Sequence, residues 1–247
     1  MVRVGRIPYL NCEPFFARLA GFELVSLTPR RLGQAVAAGE VDAGALSLVD
    51  FLRLEAVLDP LPFGIATDRA AQSVFLFSHR PLGELGGAVI GVTDETSTSV
   101  ELLRVLLGLK YQVAPRAWVG AADPCDAVLL IGDAAIRELT SGSRFPVVAD
   151  LGVEWVEWTG QPFVFARWGI RRSLPESERR DLETCLGRAL DEGLASLPDI
   201  ARVRRDTGWG PAEVEAYLRG FNYRLGDAEE KAIAEFTRLR SFVESRA

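Results

Sequence analysis

The sequence predicts an α/β fold in two lobes of similar size, followed by a helical tail. Three observations carry that expectation. Residues 2–16, VRVGRIPYLNCEPFF, read as a strand, a tight polar turn and a helix start. The same plan begins again at Val89, where VIGV leads into the polar turn 93–99 and a helix over 100–109 with Leu102, Leu103, Leu106 and Leu107 facing inward. From Ser173 onward the pattern is helical, with Leu182, Cys185, Leu186, Ala189 and Leu190 in an i, i+3, i+4 stripe.

The two halves are similar in plan. Gly5 parallels Gly91 and Asn11 parallels Ser97, both at an offset of 86 residues, and Asp42-Ala43 parallels Asp126-Ala127 at an offset of 84. In the first half, residues 22–27 form a short strand. Thr28-Pro29 then opens a helix that buries Leu32, Ala35 and Val36 and stops at Gly39. VDAGAL, residues 41–46, is a small-residue strand suited to a sheet covered on both faces. Ser47 with Asp50 makes a capping box, Asp standing in the usual Glu place, and starts a short helix. Residues 61–66 and 73–78 read as strands; the run Val74 to Phe77 is apolar throughout and therefore buried. Residues 81–87 are a turn-rich connection.

After the restart at Val89, strands are expected at 117–120 and 126–131, and Gly132-Asp133 turns into a helix over 134–139. A strand at 145–149, a short helix at 153–159 and an apolar strand at 163–170 follow. In the tail, Ser173 with Glu176 forms a capping box, and residues 211–220 form a shorter helix. Asp227 with Glu230 caps a last helix whose inner face is Ile233, Phe236, Leu239 and Val243. The lobes are therefore expected over 1–82 plus 168–247 and over 83–167, joined by crossings near 79–87 and 162–169, with a ligand cleft between them.

Composition narrows the chemistry. The chain has 247 residues, 48% hydrophobic and 25% charged, an ordinary globular balance. A net charge of −6 with no basic run argues against nucleic acid. No apolar leader segment and no span of about 18 uncharged apolar residues is present, so a cytoplasmic protein without a membrane partner is expected. Cys12, Cys125 and Cys185 form no CxxC, which indicates neither a zinc site nor a disulfide framework. No GxGxxG, Walker loop or GxSxG elbow occurs. His79 is the only histidine and stands beside Arg80-Pro81, where an exposed position is expected. The sequence does not fix an oligomeric state.

Four polar groups are expected to face the cleft. Asn11 follows the first strand, at the sheet edge where ligands bind in open α/β folds; it can also serve as a helix cap. The turn with Thr96, Ser97, Thr98 and Ser99 opens a helix and offers hydroxyls and backbone N–H groups to an anion, the alternative being a self-capped solvated turn. Ser73 heads an apolar strand near a crossing, where it can also be a plain strand-edge serine. The fourth is Gly132-Asp133 with Thr159-Gly160; Gly132-Asp133 opens another helix, where Asp133 reads better as a cap than as a base. Trp155, Trp158 and Trp168 can line the cleft or fill the core.

These residues carry a resemblance. GRIPYLNCEPFF, DAGALSLVDFL, IGVTDETSTSVELLRVLL, DAVLLIGDAAI and DLGVEWVEWTGQPFVFARW, in this order over nearly the whole chain, resemble the chorismate dehydratases of the futalosine route to menaquinone. The resemblance implies a two-lobed periplasmic-binding-protein-like fold of type II with two crossings, in a cytosolic enzyme. It implies a lyase reaction: chorismate loses water to give 3-(1-carboxyvinyloxy)benzoate. The ring proton beside the enol-ether oxygen and the neighbouring hydroxyl leave, and aromatisation drives the step, so no cofactor or metal is implied. Asn11 in LNCEP and Ser73 at the head of SVFLFS carry over as catalytic residues; Ser47, Thr96, Ser97, Thr98, Ser99, Gly132 and Asp133 are the expected substrate contacts. Neither an amide nor an unassisted serine is a base at neutral pH, so Asn11 and Ser73 are expected to orient chorismate, whose own carboxylate can take the proton. A sister family of the same fold, the 1,4-dihydroxy-6-naphthoate synthases, opens on a CPND-type turn and uses a histidine, which this chain lacks at a corresponding place. A non-catalytic binding protein for an aromatic carboxylate would use the same cleft.

Overall fold

The computed structural model describes residues 1–93, 95, 97–204 and 206–245; the candidate Thr96 lies outside them. The first half contains β1 (Arg3–Arg6), α1 (Glu13–Phe16), β2 (Glu23–Ser26), α2 (Pro29–Ala38), β3 (Ala43–Ser47), α3 (Leu48–Arg53) and β4 (Leu58–Thr67). The second contains β5 (Val74–Ser78), β6 (Val89–Val92), α4 (Thr98–Val105), β7 (Ala117–Gly120), β8 (Ala127–Ile131), α5 (Gly132–Ser141), β9 (Val147–Asp150) and α6 (Leu151–Thr159). The chain ends with β10 (Phe163–Arg171), α7 (Glu176–Ala195), α8 (Leu197–Val203), α9 (Pro211–Arg219), β11 (Asn222–Arg224) and α10 (Asp227–Glu244).

Among the described residues two sheets form, in the orders β11-β4-β10-β3-β1-β2 and β7-β6-β8-β5-β9. The repeated plan is visible strand by strand. β1 lies parallel between β2 and β3, as β6 lies parallel between β7 and β8. Each sheet then takes one antiparallel strand from the chain just after it has crossed: β5 beside β8, and β10 beside β3. The aspartates of the repeat do the same work. Arg3 N donates to Asp42 Oδ2 at 2.9 Å, and Val89 N donates to Asp126 Oδ2 at 2.8 Å. Each carboxylate thus holds the first residue of one strand to the residue before the next.

That topology moves the expected boundaries. β5 pairs with β8 and β9, so residues 74–78 belong to the second sheet, and all of β10 from Phe163 belongs to the first. The chain first changes sheets over 68–73, not 79–87. The apolar run Val74 to Phe77 signals burial but cannot say in which sheet. The Asp150 carboxylate fixes this crossing by accepting from Ala71 N at 3.0 Å and Gln72 N at 2.7 Å, with Gln72 at φ +56°.

Helix starts follow local chemistry with two corrections. Ser47 caps α3 and accepts from Asp50 N at 3.3 Å, as its spacing implies. α7 begins at Glu176 behind Pro175, with no side-chain cap from Ser173. α10 is closed by Glu229, which accepts from Gly226 N at 2.9 Å, while Glu230 turns to Arg167 at 2.9 Å. The tail also supplies α8 and β11, which had no distinct sequence signal.

One core cluster lies within the first lobe, and a second joins the second lobe to Leu48, Ala66 and Phe163 of the first. Phe15 and Trp168 pack edge-on at 5.4 Å in the first lobe, beneath the α7 stripe of Leu182, Leu186 and Leu190. Trp155 anchors the second, and Phe236 of α10 packs against Trp155 at 5.9 Å and Phe163 at 5.1 Å. The last helix therefore packs against both lobes, on Trp155 of the second and on Phe163 and Arg167 of the first. Trp155 and Trp168 are fully buried core residues, so neither lines a cleft.

Candidate active site

The two sheets meet along their strand ends, and a cavity of about 70 Å³ lies at the seam. Asn11, Ser47, Ser73, Thr98, Ser99 and Gly132 line it, drawn from both lobes and from the first crossing. Ile65, Val74, Ile131, Phe165 and Phe221 supply its apolar walls. No acidic or basic side chain is among the described lining residues.

Asn11 sits in a 3-10 turn, Leu10–Cys12, after β1. Its side chain caps neither that turn nor α1, whose N-caps are Tyr9 and Cys12. Its one side-chain bond among the described residues is from Cys12 Sγ to Oδ1 at 3.5 Å. The amide N–H groups are left for the cavity. The turn itself is held from the other lobe: Leu10 N donates to Asp133 Oδ1 at 3.0 Å. Asp133 is neither a helix cap nor a lining residue, since Ile131 is the N-cap of α5. Burial pushes its carboxyl up, against the opposing pull of Leu10 N and Arg204. Arg204 pairs with Asp133 and, through Nη1 at 2.7 Å, with Glu13.

Gly132 needs to be glycine twice over. Its φ is +58°, and a Cβ there would meet the Tyr9 ring, across the seam, at 2.8 Å. Gly132 N donates to Ser73 O at 2.7 Å, which fixes the head of β5. Ser73 is 1% exposed; its Oγ accepts from the Tyr217 hydroxyl at 2.7 Å and donates to Ala71 O at 3.3 Å.

The hydroxyl turn divides. Thr98 and Ser99 face the cavity, and Thr98 Oγ1 accepts from Val49 N at 3.0 Å across the seam. Ser97 lies outside the cavity, and its Oγ donates to Asp50 Oδ2 at 2.9 Å. Ser47 Oγ donates to the same oxygen at 2.7 Å. Asp50 and Ser97 line a separate groove of about 710 Å³ beside Arg53, Arg104 and Trp118. The Ser47–Asp50–Ser97 bonds therefore stand between groove and cavity. Sequence reasoning placed Ser97 with an external anion, whereas a carboxylate of the chain itself occupies that hydroxyl.

The thiol and phenols at the site are not bases. Burial pushes the Cys12 thiol up, with Glu13 adding to it. Burial and the hydrogen bond to Glu95 push the Tyr9 phenol up. Burial keeps the Tyr217 phenol protonated. His79 is exposed, packed 4.8 Å from Phe145 and away from the cavity lining. Among the described residues no three His, Cys, Asp or Glu side chains gather to hold a metal ion, and no helix is long and apolar enough to cross a membrane.

Tyr217, Phe165 and Phe221 were not singled out from the sequence. Tyr217 has only a place in an ordinary helical stripe and Phe165 one in an apolar strand, while Phe221 lies in the bend between α9 and β11.

Comparison with known proteins places the chain. A family model described as menaquinone biosynthesis matches residues 2–241. The chain is 32% identical over 256 aligned positions to the chorismate dehydratase of Thermus thermophilus, covering 94% of this chain and 93% of that one. Among solved structures it resembles a protein from Archaeoglobus fulgidus, with a TM-score of 0.78, 16% identity and coverage of 98% and 97%. It also resembles the periplasmic aliphatic sulphonate binding protein of Escherichia coli, with a TM-score of 0.65, 15% identity and coverage of 99% and 92%. The fold is thus periplasmic-binding-protein-like, and the chain belongs to the menaquinone-biosynthesis family.

Proposed function

We propose that the protein is a chorismate dehydratase, a cytoplasmic lyase that converts chorismate to 3-(1-carboxyvinyloxy)benzoate and water. The observation that carries this reading is the meeting of Asn11 and Ser73 in one seam cavity without a basic side chain among the described lining residues. The similarity to the Thermus thermophilus enzyme over 94% of the chain supports it.

The chemistry asks for little more than orientation. Losing the proton on the carbon that bears the enol ether and the hydroxyl on its neighbour makes the ring aromatic. Asn11 N–H groups would hold the departing hydroxyl, where negative charge develops. Ser73 would hold a carboxylate, and Thr98, Ser99 and the start of α4 would meet the other with hydroxyl and backbone donors. The proton would pass to a carboxylate of chorismate itself and from there to the departing hydroxide, which leaves as water, because the Cys12 and Tyr9 groups at the cavity are held protonated. A dry cavity strengthens each of these interactions.

The seam must part for this. Ligand pockets usually span roughly 300–1,000 Å³, against about 70 Å³ here. Among the bonds that cross the seam, Ser97 to Asp50, Val49 to Thr98, Leu10 to Asp133 and Tyr9 to Glu95 would break and reform.

The test is incubation of purified protein with chorismate and identification of the product by NMR. The expected result is the benzoate ether, formed catalytically. Chorismate bound but unchanged would replace this reading by that of a binding protein.

A further inference from the structure

We propose that Tyr217 is a positioning residue for Ser73: its hydroxyl sets the direction of the serine proton toward the substrate. This rests on the reading of Ser73 as a substrate contact.

The two hydroxyls are 2.7 Å apart and both side chains are buried, although 144 residues separate them in the chain. Tyr217 stands on α9, and its ring is fixed edge-on between Trp209 at 5.2 Å and Phe221 at 5.0 Å. Phe221 in turn lines the cavity. Thr67 Oγ1 donates to Gly220 O at 3.2 Å, which ties the end of α9 to the start of the first crossing. The crossing ends at Ser73, whose carbonyl accepts from Gly132 N at 2.7 Å. Both partners of the hydroxyl pair are therefore anchored independently of the pair.

The direction of the bond follows from the partners: Ser73 Oγ gives its proton to Ala71 O, which leaves its lone pairs to accept from the Tyr217 hydroxyl. The Tyr217 phenol stays protonated, because desolvation pushes it far above its ordinary value. It donates to Ser73 Oγ and so occupies one lone pair of that oxygen. Ser73 keeps its own proton for another acceptor. Within the protein that acceptor is Ala71 O at 3.3 Å, a long bond for O–H to O. A substrate carboxylate in the cavity would be a stronger acceptor than Ala71 O. Accepting from Tyr217 also polarises the serine O–H and strengthens the bond it gives. Without the phenol, Ser73 Oγ would have a free lone pair facing inward and more than one rotamer to choose from.

The bland alternative is that Tyr217 needs only a partner for a buried hydroxyl. A double-mutant cycle of Ser73→Ala and Tyr217→Phe separates the two, read as kcat and KM for chorismate with thermal melting alongside. Tyr217→Phe keeps the ring packing and removes the hydroxyl. One neutral hydrogen bond corresponds to roughly a two- to tenfold change. The expected result is a loss of about fivefold in kcat, with KM little changed, and no further loss when Tyr217→Phe is added to Ser73→Ala. Incorporation of 3-fluorotyrosine at position 217 keeps size and hydroxyl and makes the phenol a stronger donor. Should Tyr217→Phe fail to fold, this fluorinated protein is read with and without Ser73→Ala: a change in kcat seen only with Ser73 present is the expected result, and no change, or the same change in both backgrounds, would overturn the proposal.

Wild-type kinetics in a folded Tyr217→Phe protein would overturn the proposal while leaving Ser73 in place. An equal loss from Tyr217→Phe in the presence and absence of Ser73 would also overturn it, since the effect would not pass through the serine. Full activity in Ser73→Ala would instead remove the reading of Ser73 on which the proposal rests.

Discussion

The two lobes begin alike and use the same turn for opposite purposes. After β1 the chain enters a short 3-10 turn that presents Asn11 to the cavity, with its amide N–H groups unused by the described residues. After β6 it enters the turn whose Ser97, at the equivalent offset, is spent on Asp50 outside the cavity. Up to that point the strands, their order and the aspartates that tie them agree closely. The divergence falls on the residues after the strand, where an open α/β sheet places its chemistry. The shared part builds the frame, and the unshared part sets one turn in the cavity wall and ties the other to the opposite lobe; on the proposed function the first is the tool and the second a closure contact.

The largest expected effect comes from removing the tool. Asn11→Ala should lower kcat about a hundredfold, as for a lost donor to developing negative charge. Ser97→Ala should change kcat and KM by no more than about threefold, since a residue away from the site is worth roughly 0.5 kcal/mol. Steady-state kinetics on both variants would sharpen the contrast; equal losses would erase it. Melting should be measured beside Asn11→Ala, where little change is expected because the side chain caps no helix.

The paired glycines come next. A Cβ at Gly5 would meet Leu32 Cδ1 at 2.1 Å, and Leu32 is fully buried. A Cβ at Gly91 would meet Cys125 Sγ at 3.0 Å, and Cys125 is only half-buried and can give way. Gly5→Ala should cost about 2 kcal/mol by overpacking and Gly91→Ala less than about 1 kcal/mol. Denaturant unfolding of the two variants would check this, and the reverse order would show that the lobes do not differ in packing as described.

The paired aspartates differ in partners. Asp126 takes the Val89 backbone, whereas Asp42 also takes the Arg3 guanidinium, at 3.0 Å. Burial alone would push the Asp42 carboxyl up, but the Arg3 bonds outweigh it and hold it below its ordinary value. A carboxylate held low stabilises the fold above its unfolded pKa, and the contribution is lost as pH falls through the native value. The unfolded value is about 3.9, so the window lies below about pH 4. Asp42→Asn should cost about 1.5 kcal/mol near neutrality and flatten the acid limb of a stability-against-pH curve. An unchanged acid limb would show that Asp42 is not the group titrating there.

A small effect is also expected at Asp50, which joins Ser47 of one lobe to Ser97 of the other. Asp50→Ala should speed ligand release two- to fivefold, roughly the worth of one hydrogen bond. Stopped-flow displacement would read it; slower release would deny Asp50 a part in closure.

Much of this arrangement was legible in the sequence, for a physical reason. Asn11, Ser47, Ser73, Thr98, Ser99 and Gly132 each stand where a strand ends or a helix or crossing begins, and such places are marked by polar and glycine residues in an apolar pattern. The repeat was legible through Gly5 and Gly91, small residues in matching strands that each pack under a neighbour, Leu32 at the first and Cys125 at the second. The first crossing was misplaced because residues 68–73 carry no proline or glycine, while the later turn-rich 81–87 does. Asp133 was read from its own helix, but its partners, Leu10 N and Arg204, come from distant chain segments. Tyr217 was invisible for the same reason: a buried hydroxyl in a helical stripe looks like core until its partner is known.

The central claim is that this cavity works by orienting a substrate that supplies its own base. The pH dependence of kcat with chorismate between about pH 6 and 9 tests it most directly. Chorismate's carboxylates stay ionised over that range, Asn11 and Ser73 do not titrate, and burial holds Cys12, Tyr9 and Tyr217 protonated. The account predicts a flat profile. A limb with its midpoint between about 6 and 8 would reveal a protein base in the complex and contradict it.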